Sequence, residues 1–167
     1  MTPRERIICA IEHKQPDRVP VDLGATGQTG MNASTLYRLR AALGLESKPV
    51  EISETFQMLG KIDPELMAFA GSDVIGLNNP SNMFGVPDGK LKAFSMPDGT
   101  PTLVSEGNAF DFAEDGSIYI YPQGNRSVAP SGHMPAGGYF FDNINRSPDF
   151  DEDNLTPAED FLSLIHI

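Results

Sequence analysis

Apolar positions near the N-terminus recur with a helical period: Ile7, Ile8 and Ile11 fall on one face. Thr2, Pro3 and Glu5 stand in front of them in a capping-box arrangement, so a helix is predicted to start at Pro3. Gln15-Pro16-Asp17 ends it. Val19-Pro20-Val21-Asp22-Leu23 is a short apolar run closed by Gly24, the pattern of a buried strand. A glycine-rich stretch, Gly24 to Gly30, leads to Asn32, which is placed to cap a second helix carrying Leu36, Leu39 and Leu43 on one face. Gly44 is its expected left-handed stop, with Leu45 folding back. Residues 46–62 fit no single period. Asp63-Pro64-Glu65 opens a third helix that Gly71 closes, and Val74 to Leu77 reads as a second buried strand ending in Asn78-Asn79-Pro80. Apolar strands joined by helices predict a parallel sheet covered on both faces, with Val19–Leu23 and Val74–Leu77 as neighbours.

The pattern then changes to a period of two. Asp-Gly pairs at 88–89, 98–99 and 115–116 are hairpin-turn signals. They separate the alternating runs Leu91 to Met96, Thr102 to Ser105, Ala109 to Ala113 and Ser117 to Tyr121. An antiparallel meander over residues 90–121 is expected, lying as a cover over a pocket mouth. A Pro- and Gly-rich loop, Pro122 to Gly138, follows, and then Tyr139-Phe140-Phe141-Asp142.

Charge narrows the partners. The 167 residues carry a net charge of −11, and residues 1–50 are mildly basic while the remainder is strongly acidic. Such a chain repels phosphate backbones, so nucleic acid is not an expected partner. One cysteine, Cys9, forms no internal disulfide and suits a reducing, cytoplasmic setting; on an apolar helix face it is expected in the core. No apolar run reaches the length of a membrane span.

Candidate chemistry sits where strands end, because ligands in α/β folds lie beyond the carboxyl ends of strands. That rule selects Asp22, Gly24, Asn78 and Asn79. Asp22 in an apolar run either faces a pocket or pairs with a structural arginine. Asn78 and Asn79 either bond a ligand or cap the chain reversal before Pro80. Arg126 could anchor a carboxylate, or be a solvated loop residue. His133 could reach a substrate from a lid, or simply be exposed. The glycine loop reads G-x-x-G-x-x-G, which departs from the dinucleotide fingerprint and leaves nucleotide binding as a weak alternative. No nucleophile–base pair and no metal constellation is recognisable by spacing.

The stretches Thr2 to Ile7 and Glu12-His13-Lys14-Gln15-Pro16-Asp17-Arg18-Val19-Pro20-Val21-Asp22 resemble the opening of the uroporphyrinogen decarboxylase superfamily. Phe56 to Leu59, Gly71 to Gly76, Tyr121 to Gly124 and Gly137 to Asp142 extend the resemblance to about residue 161. It implies an enzyme with an α/β fold, the N-terminal part of a (β/α)8 barrel, here with an antiparallel β-rich excursion. It also implies one of two chemistries: cofactor-free decarboxylation of a porphyrinogen, or methyl transfer between a corrinoid protein and a thiol with zinc. Decarboxylases of that superfamily place an Arg-rich segment after the first strand. This chain has no arginine between Arg18 and Arg38, which favours the methyltransferase-like branch.

The resemblance divides the chain into first βα units (1–85), the excursion and loop (86–146), an acidic linker with the start of a helix (147–161) and a tail (162–167). A complete barrel needs about 250 residues. The tail Leu162 to Ile167 also matches one translated frame of a transposase end used in DNA library preparation. The expectation is therefore an N-terminal fragment with a non-native tail, inactive alone and prone to self-association. No cofactor is expected within it; zinc ligands would lie in the remaining half. Its substrate is expected to be a small molecule or a corrinoid protein. The alternatives are tetrapyrrole decarboxylation and a non-catalytic binding module built on the β-rich part.

Overall fold

The computed structural model describes residues 1–77 and 79–145. Its elements run α1 (Pro3–Ile11), β1 (Met31–Asn32), α2 (Ala33–Ala42), β2 (Val50–Glu54), β3 (Leu59–Gly60), α3 (Pro64–Ala70), β4 (Leu91–Ser95), β5 (Pro101–Ser105), β6 (Phe110–Phe112), β7 (Ile118–Ile120), β8 (Gly132–Met134) and β9 (Asp142–Asn143). The strands form two sheets, one in the order β1-β3-β2-β5-β4 and the other β6-β7-β8-β9. Every pairing is antiparallel except β2 with β5.

This overturns the expected barrel. The described residues form a sheet-rich α/β fold with three short helices, not the first units of a (β/α)8 barrel. The two runs predicted as neighbouring parallel strands are not strands. They lie side by side, joined by one backbone bond from Asp73 N to Val21 O at 2.7 Å, and no ladder forms. Val19, Ile75 and Leu77 are exposed. A buried parallel strand needs cover on both faces; here Leu23 packs against the core, but Val19, Ile75 and Leu77 are left uncovered by the described residues.

Local signals are obeyed at the helix ends. Thr2 and Glu5 close a capping box on α1, and Asn32 accepts from Ser34 N at 3.0 Å to cap α2. Asp63 accepts from Leu66 N to cap α3, which Gly71 ends at φ 64°. Beyond α2, Gly44 takes φ 69° and Leu45 N returns to Arg40 O at 3.0 Å.

The face of α1 is not the one that its isoleucines suggest. Ile8 and Ile11 are exposed, Cys9 is half-buried, and the buried side chain is Arg6. The helix docks by charge. Arg6 donates to Asp17 at 2.7 and 3.0 Å and is paired with Asp73, which also meets Arg18 at 2.8 Å and accepts from Val21 N at 3.0 Å. The residues Asp17-Arg18 that carry the family resemblance are thus architectural: they lock α1 to the 72–77 segment.

α2 packs on β2 and β3 through Ala33 and Leu36. Gly60 permits that approach, since a Cβ there would stand 2.5 Å from Val50 Cγ1 and 2.8 Å from Leu36 Cδ2. The expected meander exists as strands but not as one sheet. The 98–99 and 115–116 Asp-Gly pairs turn β4 into β5 and β6 into β7, with Gly99 and Gly116 at positive φ. β5 then joins β2, while β7 continues to β8. One core spans both sheets, with Phe94 4.7 Å from Phe110 and Phe141 fully buried between Phe84 and Phe110.

Candidate functional site

A polar cleft of about 570 Å³ opens between the glycine loop, the end of β2 and the 79–88 segment. A second recess of about 340 Å³ shares Gly27, Gln28, Ser53, Glu54 and Asn79 with it, so the two are continuous.

The glycine loop is built to hold itself. Gly24 N donates to Thr29 O at 2.9 Å, Thr29 N to Thr26 O at 3.2 Å, and Thr26 N to Thr29 Oγ1 at 3.2 Å. Those N–H groups are consumed within the loop and are not arrayed to cradle phosphate. Gly24 sits at φ 80° with its missing Cβ only 2.2 Å from Ile62 Cγ1, so both the turn and the packing require glycine.

Glu54 forms the opposite wall. Its carboxylate accepts from Phe56 N at 2.8 Å and Gln57 N at 2.7 Å, which fixes the side chain at the end of β2. Asn82 supports the third wall. Its Oδ1 accepts from Phe84 N and Val86 N, and its Nδ2 donates to Thr55 Oγ1 at 3.1 Å and Asn108 Oδ1 at 2.8 Å. That amide is fully used, so it is scaffold. Gln28, Gln57 and Asn79 make no side-chain hydrogen bond among the described residues and are available to a ligand. Among the described residues the lining carries two carboxylates, Glu54 and Asp88, and no Lys, Arg or His.

The six residues selected from the sequence separate. Gly24 and Asn79 line the cleft. Asn78 lies outside the described residues. Asp22 is exposed and accepts from Ala25 N at 3.1 Å, so it shapes the loop; the acid that pairs with structural arginines is Asp73. Arg126 is paired with Asp111 and donates to Phe110 O at 2.6 Å. His133 sits on β8, opposite Tyr119, with ring centroids 4.9 Å apart. Neither Arg126 nor His133 lines the cleft.

Sequence reasoning missed Glu54, Gln57 and Asp88. Glu54-Thr55-Phe56-Gln57 did carry a signal, an acid positioned to cap the following N–H groups. Among the described residues no three His, Cys, Asp or Glu side chains gather closely enough to hold a metal, and no helix is long and apolar enough to cross a membrane. No protein-family model, curated protein or solved structure matches this chain.

Proposed function

We propose that this chain belongs to an enzyme resembling the methyltransferase-like branch of the uroporphyrinogen decarboxylase family, acting in corrinoid-linked methyl transfer rather than on a porphyrinogen. The observation that carries the reading is the charge of the cleft. A polycarboxylate substrate needs arginine or lysine opposite its carboxylates. The cleft offers Glu54 and Asp88 with amides between them, and would repel it. Neutral or cationic groups on a small molecule, or on the surface of a corrinoid protein, suit that lining.

In this reading Gln28, Gln57 and Asn79 hydrogen-bond the ligand, Glu54 presents a fixed acceptor, and the self-bonded glycine loop keeps the near wall rigid. Zinc supplies thiol activation in such chemistry, but the described residues do not fit it, and no step is assigned through a metal. The single cysteine and acidic composition support a cytoplasmic setting.

A second reading, a binding module, is favoured by one observation: the described residues close a core of their own across both sheets. Two assays on the protein expressed from its complete gene separate the possibilities. Methyl transfer from methylcobalamin to a thiol in the presence of zinc, with no decarboxylation of uroporphyrinogen, is the expected result. Decarboxylation would refute the proposal. Inactivity in both, with ligand binding retained at the cleft, would favour the binding module.

A further inference from the structure

A second concavity, of about 670 Å³, lies on the other side of Gln57, between α2 and the 139–140 segment. It has a different chemistry. Its walls are Phe56, Leu59, Tyr139 and Phe140, and Arg38 is the only charged residue among the described ones that line it.

The aromatic wall is held from behind. Phe141 is fully buried and its N–H donates to Phe56 O at 2.7 Å. Asn32 Nδ2 donates to Tyr139 O at 2.8 Å and to Gln57 O at 3.3 Å. The backbone on both sides of Phe140 is therefore anchored. Yet Tyr139 is 42% and Phe140 53% exposed, and the Tyr139 hydroxyl makes no hydrogen bond among the described residues. Two adjacent aromatic residues on an anchored backbone line a cavity of ligand size and form a stacking surface without a partner among the described residues.

The polar end is set by α2. Asn32, Thr35 and Arg38 follow one another at helical spacing along the cavity's edge. Arg38 Nη2 is held by Asp98 at 2.7 Å, and Asp98 in turn accepts from Ser34 Oγ and Thr100 N. Asp98 does not line the cavity. A guanidinium has five N–H donors in a fixed fork, so this one is oriented by Asp98 and keeps donors for a ligand.

We propose that this concavity binds a small planar aromatic carboxylate, its ring against Phe56, Tyr139 and Phe140 and its carboxylate on Arg38 and the Thr35 hydroxyl. The site is separate from the acidic cleft, and its occupant carries the charge that the cleft rejects.

Isothermal titration of the whole chain with 2-naphthoate tests this, with 2-naphthalenemethanol and cyclohexanecarboxylate as comparison ligands. Saturable one-to-one binding of 2-naphthoate is expected, with both comparison ligands weaker. Arg38→Gln should weaken 2-naphthoate about tenfold and leave the alcohol unchanged. Phe140→Ala should weaken both aromatic ligands about tenfold. Phe69→Ala, an exposed phenylalanine on α3, should change neither. All three positions are exposed, and unaltered thermal melts would confirm folding. Absence of 2-naphthoate binding, equal affinity in Arg38→Gln and Phe140→Ala, or an equal loss in Phe69→Ala would overturn the site.

Discussion

Arg6 on α1 is ion-paired with Asp73, 67 residues further along the chain, and the Asp73 carboxylate is completely covered. Arg18 and Val21 N complete its shell. Burial alone would favour the neutral acid, but the Val21 N–H and the two guanidinium groups outweigh it and hold the carboxyl below its ordinary value. Asp17 is lowered too, chiefly by its hydrogen bonds from Arg6. A carboxyl lowered in the folded state stabilises the fold above its unfolded value, and that contribution disappears as pH falls towards the depressed folded value. Asp73→Asn should therefore melt well below the parent at pH 7. The gap between them should narrow below the ordinary carboxyl value of 3.8. Hydrogen exchange at pH 7 should show α1 losing protection first in the variant. A gap independent of pH would mean that the pair does not hold the helix.

Two arginines on α2 should differ sharply. Arg40 is buried, bonded twice to Glu46 O at 3.0 Å and paired with Asp63 and Glu65, the acids that open α3. Arg40→Ala removes all of these bonds at a buried position, while Asp63 keeps Lys48 at 3.3 Å and the Leu66 N–H, and should cost about 1.5–3 kcal/mol in chemical denaturation. Arg38 is exposed and has one partner among the described residues, Asp98. Arg38→Ala should cost about 1 kcal/mol or less.

How much of this was legible depended on how local each cause is. The caps at Thr2, Asn32 and Asp63, the stop at Gly71 and the turns at 98–99 and 115–116 are decided within a few residues, and they appear as the pattern implies. The β2–β5 pairing joins Val50 to Thr102 across about a third of the described chain, and no local pattern encodes it. Val74–Leu77 has the composition of a buried strand, but a strand needs a ladder partner, and only one backbone bond links the segment to residues 19–23. The buried position on α1 was hidden because Arg6 stands beside Ile7 and Ile8, which apolar periodicity favours. At the candidate site, Gly24 and Asn79 followed from loop position. Glu54 did not, because its orientation comes from N–H groups presented by a turn inside the ambiguous 46–62 stretch.

Gly60 should tolerate no side chain. Gly60→Val would drive atoms into Val50 and Leu36 at the α2–sheet contact. A loss of about 1–3 kcal/mol is expected from overpacking, read as a lower denaturation midpoint with an unchanged slope. Gly89→Val should be close to neutral, since nothing lies within 4 Å of a Cβ there.

Asn82 should matter more than a half-buried amide usually does, because four partners depend on it. Asn82→Ala leaves the buried Asn108 and Thr55 side chains each short of one bond. A cost of about 1–3 kcal/mol is expected. Faster hydrogen exchange at Phe84 and Val86 N–H would locate it, and unchanged exchange there would refute the hub.

The charge of the cleft carries the functional reading, and uroporphyrin binding tests it most directly. Porphyrin fluorescence titrated at low salt with the Arg38→Gln, Phe140→Ala protein, in which the aromatic concavity is disabled, should show no saturable association, because Glu54 and Asp88 face the ligand without a cation among the described lining residues. The double variant Glu54→Gln, Asp88→Lys should bind measurably more. Saturable one-to-one binding in that background, weakened by a further Gln28→Glu change and so placed in the cleft, would contradict the account.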